Sequence, residues 1–147
     1  MNQRYMTLAI KEAKKSTEDI GCGAIIIKEN KIIGKGYNTQ RETHNAAAHA
    51  EINAIKAAGR KIKNKKLEEC IIYCTCEPCI MCLSALSYAK VKKIIYGMSM
   101  NETYSKDRII DINIEQFLNR SPHKIEIEKG FMKEECQKEL FTKKTAL

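Results

Sequence analysis

The stretch Cys-Glu-Pro-Cys-Ile-Met-Cys, residues 76–82, decides the fold of this chain. It follows a β-branched and aromatic run at residues 71–75, which predicts a short buried strand. Pro78 fits the first turn of a helix, because the N–H that proline lacks has no partner there. We therefore predict a helix over residues 79–89, joined almost directly to the strand before it.

The segments on either side continue this alternation. Glu29-Asn30 predicts a hairpin turn between strands at 24–28 and 31–37, and Gly59 is the predicted stop of a helix that starts at Ala46. Residues 40–45 and 98–107 are predicted to be irregular, and 109–117 is ambiguous. The other predicted elements are helices at 1–15 and 132–141 and strands at 91–96 and 124–128. This order predicts an α/β sandwich with a mixed sheet.

Size and composition restrict the class of protein. The chain has 147 residues, so we predict one domain over residues 1–147, and its net charge is +8. No apolar run approaches the roughly 18 residues of a membrane span, and the N-terminus is too polar for a secretory signal. We therefore expect a cytoplasmic protein without a membrane partner. The odd number of cysteines, seven, argues against a disulfide framework.

Two helix starts carry the residues that suggest chemistry. Cys79 and Cys82 lie three apart, on one face of the predicted helix, and His49 can supply an imidazole from another helix. Two thiolates and one imidazole make a zinc site with one open position, as catalytic zinc requires. Glu51, two residues after His49, suits a general acid/base beside a zinc-bound water.

Other interpretations of these residues remain open at this stage. His49 and Glu51 alone fit a pair on a helix surface. The cysteine spacing also fits the start of an iron–sulfur motif, although no later Cys-Pro completes it. A closed zinc site could use Cys74, Cys76, Cys79 and Cys82. The remaining cysteines are predicted to be small core residues: Cys22, Cys70 and Cys136.

The two motifs resemble the zinc signature of the cytidine/deoxycytidylate deaminase superfamily. The resemblance runs to about Tyr96 and includes residues 23–26 and 36–38. It implies a three-layer α/β/α sandwich with a mixed five-stranded sheet, and one zinc ion per subunit held by His49, Cys79 and Cys82. It further implies that zinc-activated water attacks the amino-bearing ring carbon of a base while Glu51 carries protons and ammonia leaves.

The same resemblance implies substrate contacts and an oligomer. Asn38 matches an asparagine that contacts the base, and the backbone amide of Ala50 is a second expected contact. Asp107 and Asp111 are candidates for the late acidic residues of the guanine deaminase branch. Members of the superfamily are commonly dimers, so we expect a homodimer.

The substrate is predicted less sharply than the reaction. The branch holding guanine and guanosine deaminases and tRNA adenosine deaminases is the most similar. Cys76-Glu77-Pro78-Cys79 resembles the guanine and guanosine enzymes more, so a free purine nucleobase or nucleoside is the first expectation. A tRNA adenosine deaminase, favoured by the +8 charge, is the second. Deamination of cytosine or deoxycytidylate is the third, and a non-catalytic zinc interaction domain is the alternative from another class.

Overall fold

The structure is a computed structural model that describes the backbone of residues 1–145 and the side chains of residues 1–140. The last two residues of the predicted domain, 146 and 147, lie outside this range. The helices are α1 Gln3–Lys14, α2 Gln40–Thr43, α3 Ala50–Ile62, α4 Ile80–Tyr88, α5 Met100–Thr103, α6 Ile114–Arg120 and α7 Lys133–Thr145. The strands are β1 Gly23–Lys28, β2 Lys31–Tyr37, β3 Ile71–Cys76, β4 Lys93–Met98 and β5 Glu126–Glu128.

A mixed five-stranded sheet forms the middle layer, in the order β2-β1-β3-β4-β5. Strand β1 is antiparallel to β2 and β3, whereas β3, β4 and β5 run parallel. Helices α1 and α7 pack on strands of the sheet and touch each other, and α3 packs on β1 and β2 and contacts α4. The predicted three-layer sandwich is therefore confirmed.

The central strands are apolar on both faces because helices cover both sides. Ile25, Ile26, Ile72 and Ile94 are completely buried. The hairpin between β1 and β2 turns at Glu29 and Asn30, as the sequence predicts, and both residues have positive φ. All seven cysteines are free, and Cys22, Cys70 and Cys136 are buried.

Helix α3 departs from its predicted bounds at both ends. It begins at Ala50 rather than at Ala46, because the preceding segment bonds elsewhere: Thr39 donates its N–H to the carbonyl of Ala48 at 2.9 Å. It also passes through Gly59 and ends at Ile62, with Lys63 in the left-handed conformation as its C-cap. The carbonyl of Gly59 accepts the terminal N–H groups, so Gly59 belongs to the last turn.

Short helices replace much of the segment predicted as irregular or ambiguous. Residues 40–43 form α2, and a 3-10 helix spans Lys106–Arg108. Capping boxes open α5 with Ser99 and Glu102, and α6 with Asn113 and Gln116. Across the described residues, no helix is both long and apolar enough to cross a membrane.

Candidate metal centre and active site

The starts of α3 and α4 bring three potential metal ligands together. His49 and Cys79 are the N-cap residues of these helices, and Cys82 lies in the first turn of α4. His49 Nδ1 is 3.5 Å from Cys79 Sγ and 3.6 Å from Cys82 Sγ, and all three ligand atoms lie within 4.8 Å of one another. Zinc bonds of about 2.0–2.3 Å place tetrahedral ligands roughly 3.5 Å apart, so this geometry fits one zinc ion.

The electrostatics of the pair of thiols favour a metal ligand. Hydrogen bonding with Cys82 and His49 lowers the pKa of Cys79 to about 4. The same contact raises the pKa of Cys82. The Cys79 sulfur in turn raises the pKa of His49 by hydrogen bonding. The lowered pKa favours the thiolate form of Cys79, which is the form that binds metal.

Glu51 lies beside this cluster, and its side chain is buried. Its Oε2 is 3.3 Å from Cys82 Sγ, and its side chain is in the first turn of α3. Burial raises the pKa of Glu51 above its usual value. A raised pKa makes the carboxylate a better proton acceptor, which suits a proton carrier.

The other cysteine arrangements predicted as alternatives do not form in the described part of the chain. His49, Cys79 and Cys82 are the one group of three or more potential metal ligands found there. Cys74 and Cys76 lie buried in β3, and Cys76 Sγ instead contacts Cys22 Sγ at 3.2 Å. The four-cysteine zinc and iron–sulfur interpretations are therefore not supported.

A cavity of about 360 Å³ opens beside the metal cluster. It lies at the carboxyl ends of the parallel strands β3 and β4, where ligands bind in many open α/β sheets. Five of the six residues predicted for the site line it, and Cys82 lies behind them. The lining residues from the prediction are Asn38, His49, Ala50, Glu51 and Cys79.

Asn38 is buried, and its side chain makes two hydrogen bonds to backbone groups of the protein. Its Oδ1 accepts a hydrogen bond from the N–H of Cys22, and its Nδ2 donates one to the carbonyl of Ile20, both at 2.8 Å. A side-chain amide has two N–H donors and two acceptor sites, so one of each remains for a substrate. Asn38 thus also shapes the cavity by fixing the segment before β1.

The start of α3 is held closely against β2. A Cβ atom on Gly36 would lie 2.3 Å from the carbonyl oxygen of Ala50, so only glycine permits this approach. Asn53 donates hydrogen bonds to the carbonyl of Tyr37 at 2.7 Å and to Thr39 Oγ1 at 3.0 Å. These contacts fix the position of the helix turn that carries Glu51.

Several cavity residues were not identified by sequence reasoning. Tyr104 is half-buried, desolvation raises its pKa, and its hydroxyl lies 3.4 Å from Cys22 Sγ. Arg108 is exposed, with its guanidinium carbon 5.8 Å from the centre of the Tyr104 ring. Gln40 also lines the cavity. None of these residues belongs to a local motif, so only the folded structure shows that they lie around one cavity.

The two late acidic residues lie elsewhere. Asp107 is exposed in the 3-10 helix and is absent from the lining of the cavity. Asp111 lines a separate groove between α4 and α6. Neither aspartate therefore supplies the acidic group that was expected in the cavity.

The sandwich fold, the His–Cys–Cys cluster and the adjacent buried carboxyl group together define a zinc-dependent hydrolytic deaminase. Residues 1–98 match the family model of the cytidine and deoxycytidylate deaminase zinc-binding region. The chain belongs to this family.

Named relatives extend the similarity beyond residue 98. A tRNA-specific adenosine deaminase of Streptococcus pyogenes serotype M18 is 34% identical over 134 residues, which cover 90% of this chain and 82% of the relative. A solved tRNA:A34 deaminase structure is 26% identical, with a TM-score of 0.81, and the match covers 95% of this chain and 100% of that one. The guanine deaminase structure from Bacillus subtilis is 34% identical, with a TM-score of 0.65, over 69% of this chain and 68% of that one.

Proposed function

We propose that this protein deaminates adenosine within tRNA, releasing ammonia and leaving inosine. The observation that carries the proposal is the reach of the similarity to tRNA-specific adenosine deaminases, which covers 90% of the chain. Such coverage includes the segment from Met100 to Ile110, which lines the outer part of the cavity. The comparisons thus favour the second expectation from the sequence over the first, a free purine.

The metal site would supply the nucleophile for this reaction. His49, Cys79 and Cys82 would hold zinc, which lowers the pKa of a bound water molecule to about 7. We infer that residues 1–147 form one such deaminase domain, because the helices pack on a single five-stranded sheet. The predicted homodimer remains part of this proposal.

Glu51 would move the protons that the reaction requires. Its carboxylate accepts a proton from the attacking water and delivers it to ring nitrogen N1 of adenine as the new C–O bond forms at C6. It would then take the proton of the new C6 hydroxyl group and pass it to the amino group, so that the C6–N bond breaks, ammonia leaves and the C6 carbonyl of inosine forms. The position of Oε2, 3.3 Å from Cys82 Sγ, keeps this carboxyl group next to the ligand cluster.

The base would be oriented by backbone and amide groups around the cluster. Ala50 is the first residue of α3, and N–H groups in a first helical turn have no carbonyl partner within their own helix. This N–H can therefore donate to the base, and the remaining N–H of Asn38 can donate beside it.

The charge of the protein supports a polyanionic substrate. The net charge is +8, and the exposed Arg108 lies at the cavity beside Tyr104. A guanidinium group is well suited to a phosphate of an RNA strand, because its fork matches two phosphate oxygens. A free base would not use such a group at the mouth.

A panel of substrates tests the proposal. The purified protein should convert adenosine to inosine in a tRNA anticodon stem-loop, with KM rising steeply as salt increases because phosphate contacts are screened. Guanine, guanosine, adenosine, cytosine and deoxycytidylate serve as competing substrates, and ammonia release is measured for each. Glu51→Gln is the matched control, since it removes the proton carrier and leaves all three metal ligands in place.

A free purine is the second candidate. The 34% identity to the guanine deaminase of Bacillus subtilis favours it, although the match covers only 69% of this chain. Ammonia release from guanine with no conversion of the stem-loop would establish this candidate and contradict the first.

A further inference from the structure

Glu77 is a residue of the cavity that the proposed reaction does not use. It lies between Cys76, the last residue of β3, and Pro78, just before the metal ligand Cys79. It is half-buried and lines the cavity. It does not belong to the group of three potential metal ligands found in the described part of the chain. Its carboxylate therefore has another role, which its hydrogen bonds indicate.

The hydrogen bonds of Glu77 lead to the segment that follows β4. Its Oε2 accepts a hydrogen bond from the backbone N–H of Met100 at 2.8 Å. Met100 is the first residue of α5, and an N–H in a first helical turn has no carbonyl partner within its own helix. The backbone N–H of Glu77 also donates to the carbonyl of Met98 at 2.7 Å. One residue thus holds both the end of β4 and the start of α5.

The outer segment, residues 100–110, forms the outer wall of the cavity. Its buried residues, Met100 and Thr103, lie at its start, whereas residues 105–108 are exposed. Exposed side chains cannot hold a segment by burial, so the position of the outer segment depends on the contacts at its start. It supplies five of the residues that line the cavity: Met100, Tyr104, Arg108, Ile109 and Ile110.

A second contact joins the outer segment to the same end of β3. The hydroxyl of Tyr104 is 3.4 Å from Cys22 Sγ, which in turn lies 3.2 Å from Cys76 Sγ. Cys76 and Glu77 are consecutive residues, so both contacts end on the stretch of chain that leads to Cys79. The outer wall of the cavity is therefore attached directly beside the metal cluster.

We propose that Glu77 is a positioning residue, which holds the outer segment in the conformation that receives the substrate. The outer segment carries neither a metal ligand nor Glu51, so the groups that perform the chemical step stay in place when it loosens. The substrate must then order the segment as it binds, and this ordering weakens binding. Loss of the contact should therefore raise KM and leave kcat nearly unchanged. The inference rests on the proposed function only for the choice of substrate.

Two variants of Glu77 test this role in the full-length zinc-loaded protein with the adenosine stem-loop. Glu77→Met keeps the length of the side chain and removes its acceptors, so KM should rise by about 2- to 12-fold, the effect of one hydrogen bond, while kcat stays within about 2-fold. Glu77→Gln keeps an acceptor oxygen and should restore most of the wild-type KM. Glu68→Met removes an exposed carboxylate just before β3, so it is the matched control and should behave as the wild type.

Hydrogen exchange tests the same contact without substrate. The backbone amide of Met100 should exchange about 2- to 12-fold faster in Glu77→Met than in the wild type, because its acceptor is gone, and Glu77→Gln should keep most of the protection. An unchanged exchange rate in Glu77→Met would overturn the inference. Metal analysis should find the same zinc content in every variant, and a loss of zinc in Glu77→Met would instead assign the residue to the metal centre.

The outcomes separate the inference from the proposed function. If the wild type does not convert the stem-loop, the proposed function is wrong, and KM is compared on whichever substrate of the panel releases ammonia. If Glu77→Met leaves KM unchanged, or if Glu77→Gln has the same defect, the inference is wrong and the function stands. A rise in KM that Glu77→Gln reverses, together with faster exchange at Met100, supports the inference.

Discussion

Replacing Gly36 with alanine should damage the active site although it replaces neither a metal ligand nor Glu51. The new Cβ would lie 2.3 Å from the carbonyl oxygen of Ala50 and 2.6 Å from the backbone nitrogen of Ala54. Because non-bonded atoms prefer separations of roughly 3.5 Å, the start of α3 must move by about 1 Å. Glu51 and His49 flank Ala50 in the chain, so they move with it.

The size of the effect follows from that displacement. Overpacking of this kind costs about 1–3 kcal/mol of unfolding free energy, and each kcal/mol corresponds to roughly 2–4 °C in a protein of this length. We therefore expect the melting temperature of Gly36→Ala to fall by about 2–12 °C. A misplacement of about 1 Å at a catalytic group can lower the rate roughly 100-fold. The fall in kcat should therefore be far larger than the loss of stability alone would cause.

Gly59→Ala is the matched control, because it is made in the same helix, near its other end. Its Cβ would meet one atom, the carbonyl oxygen of Asn64, at 3.2 Å. Alanine is favoured over glycine in a helix by about 1 kcal/mol, so this variant should melt no lower than the wild type and keep its activity. Calorimetry and kcat on the preferred substrate measure both variants. Wild-type turnover in a folded Gly36→Ala would refute the claim that this contact positions Glu51.

Two further predictions concern the metal and pH. His49→Ala should bind less than one zinc ion per chain, and a chelator should lower the melting temperature of the wild type while leaving the variant unchanged, because metal binding contributes to folding free energy. Metal analysis and paired melts check this; an equal response in both proteins would contradict it. Lys133 and Ser99 lower the pKa of Glu102 to about 2, so this group stabilises the protein above about pH 4.5 and loses its effect as pH falls towards 2. Glu102→Gln should remove this loss of unfolding free energy at low pH. The loss should be smaller than about 1 kcal/mol, because the Lys133–Glu102 pair is accessible to solvent. Urea unfolding at pH 6 and pH 3 measures it, and an identical difference between variant and wild type at both pH values would show that the pair contributes nothing.

The sequence predicts the sheet and the metal end of the site well, for local reasons. Strands β1 and β2 are joined by two residues, Glu29 and Asn30, and asparagine tolerates the positive φ that both adopt, so a few consecutive positions are enough to predict the hairpin. Pro78 and Cys79 mark the start of α4 just as directly, since proline suits the beginning of a helix. Each metal ligand lies at or next to a helix start, so its position follows from the same local pattern.

The start of α3 shows where local reasoning fails. Ala46, Ala47 and Ala48 have the highest helix propensity of any residue, and they predicted an earlier start. In the structure, Ala48 instead accepts a hydrogen bond from Thr39, which draws the segment towards the end of β2. A tertiary hydrogen bond outweighs propensity here, and it leaves His49 as the N-cap, directed at Cys79 from across the site.

The substrate end of the cavity could not be predicted, because its residues are gathered from distant segments. Tyr104 meets Cys22 across 82 positions of sequence, and Gln40 reaches the cavity from a one-turn helix that no periodicity marks. The residues that carry the reaction lie at helix starts, so the reaction can stay the same while changes in the loops alter which substrate enters the cavity. The motif therefore predicts the type of reaction, whereas the residues that line the outer part of the cavity, such as Gln40 and Arg108, belong to no motif.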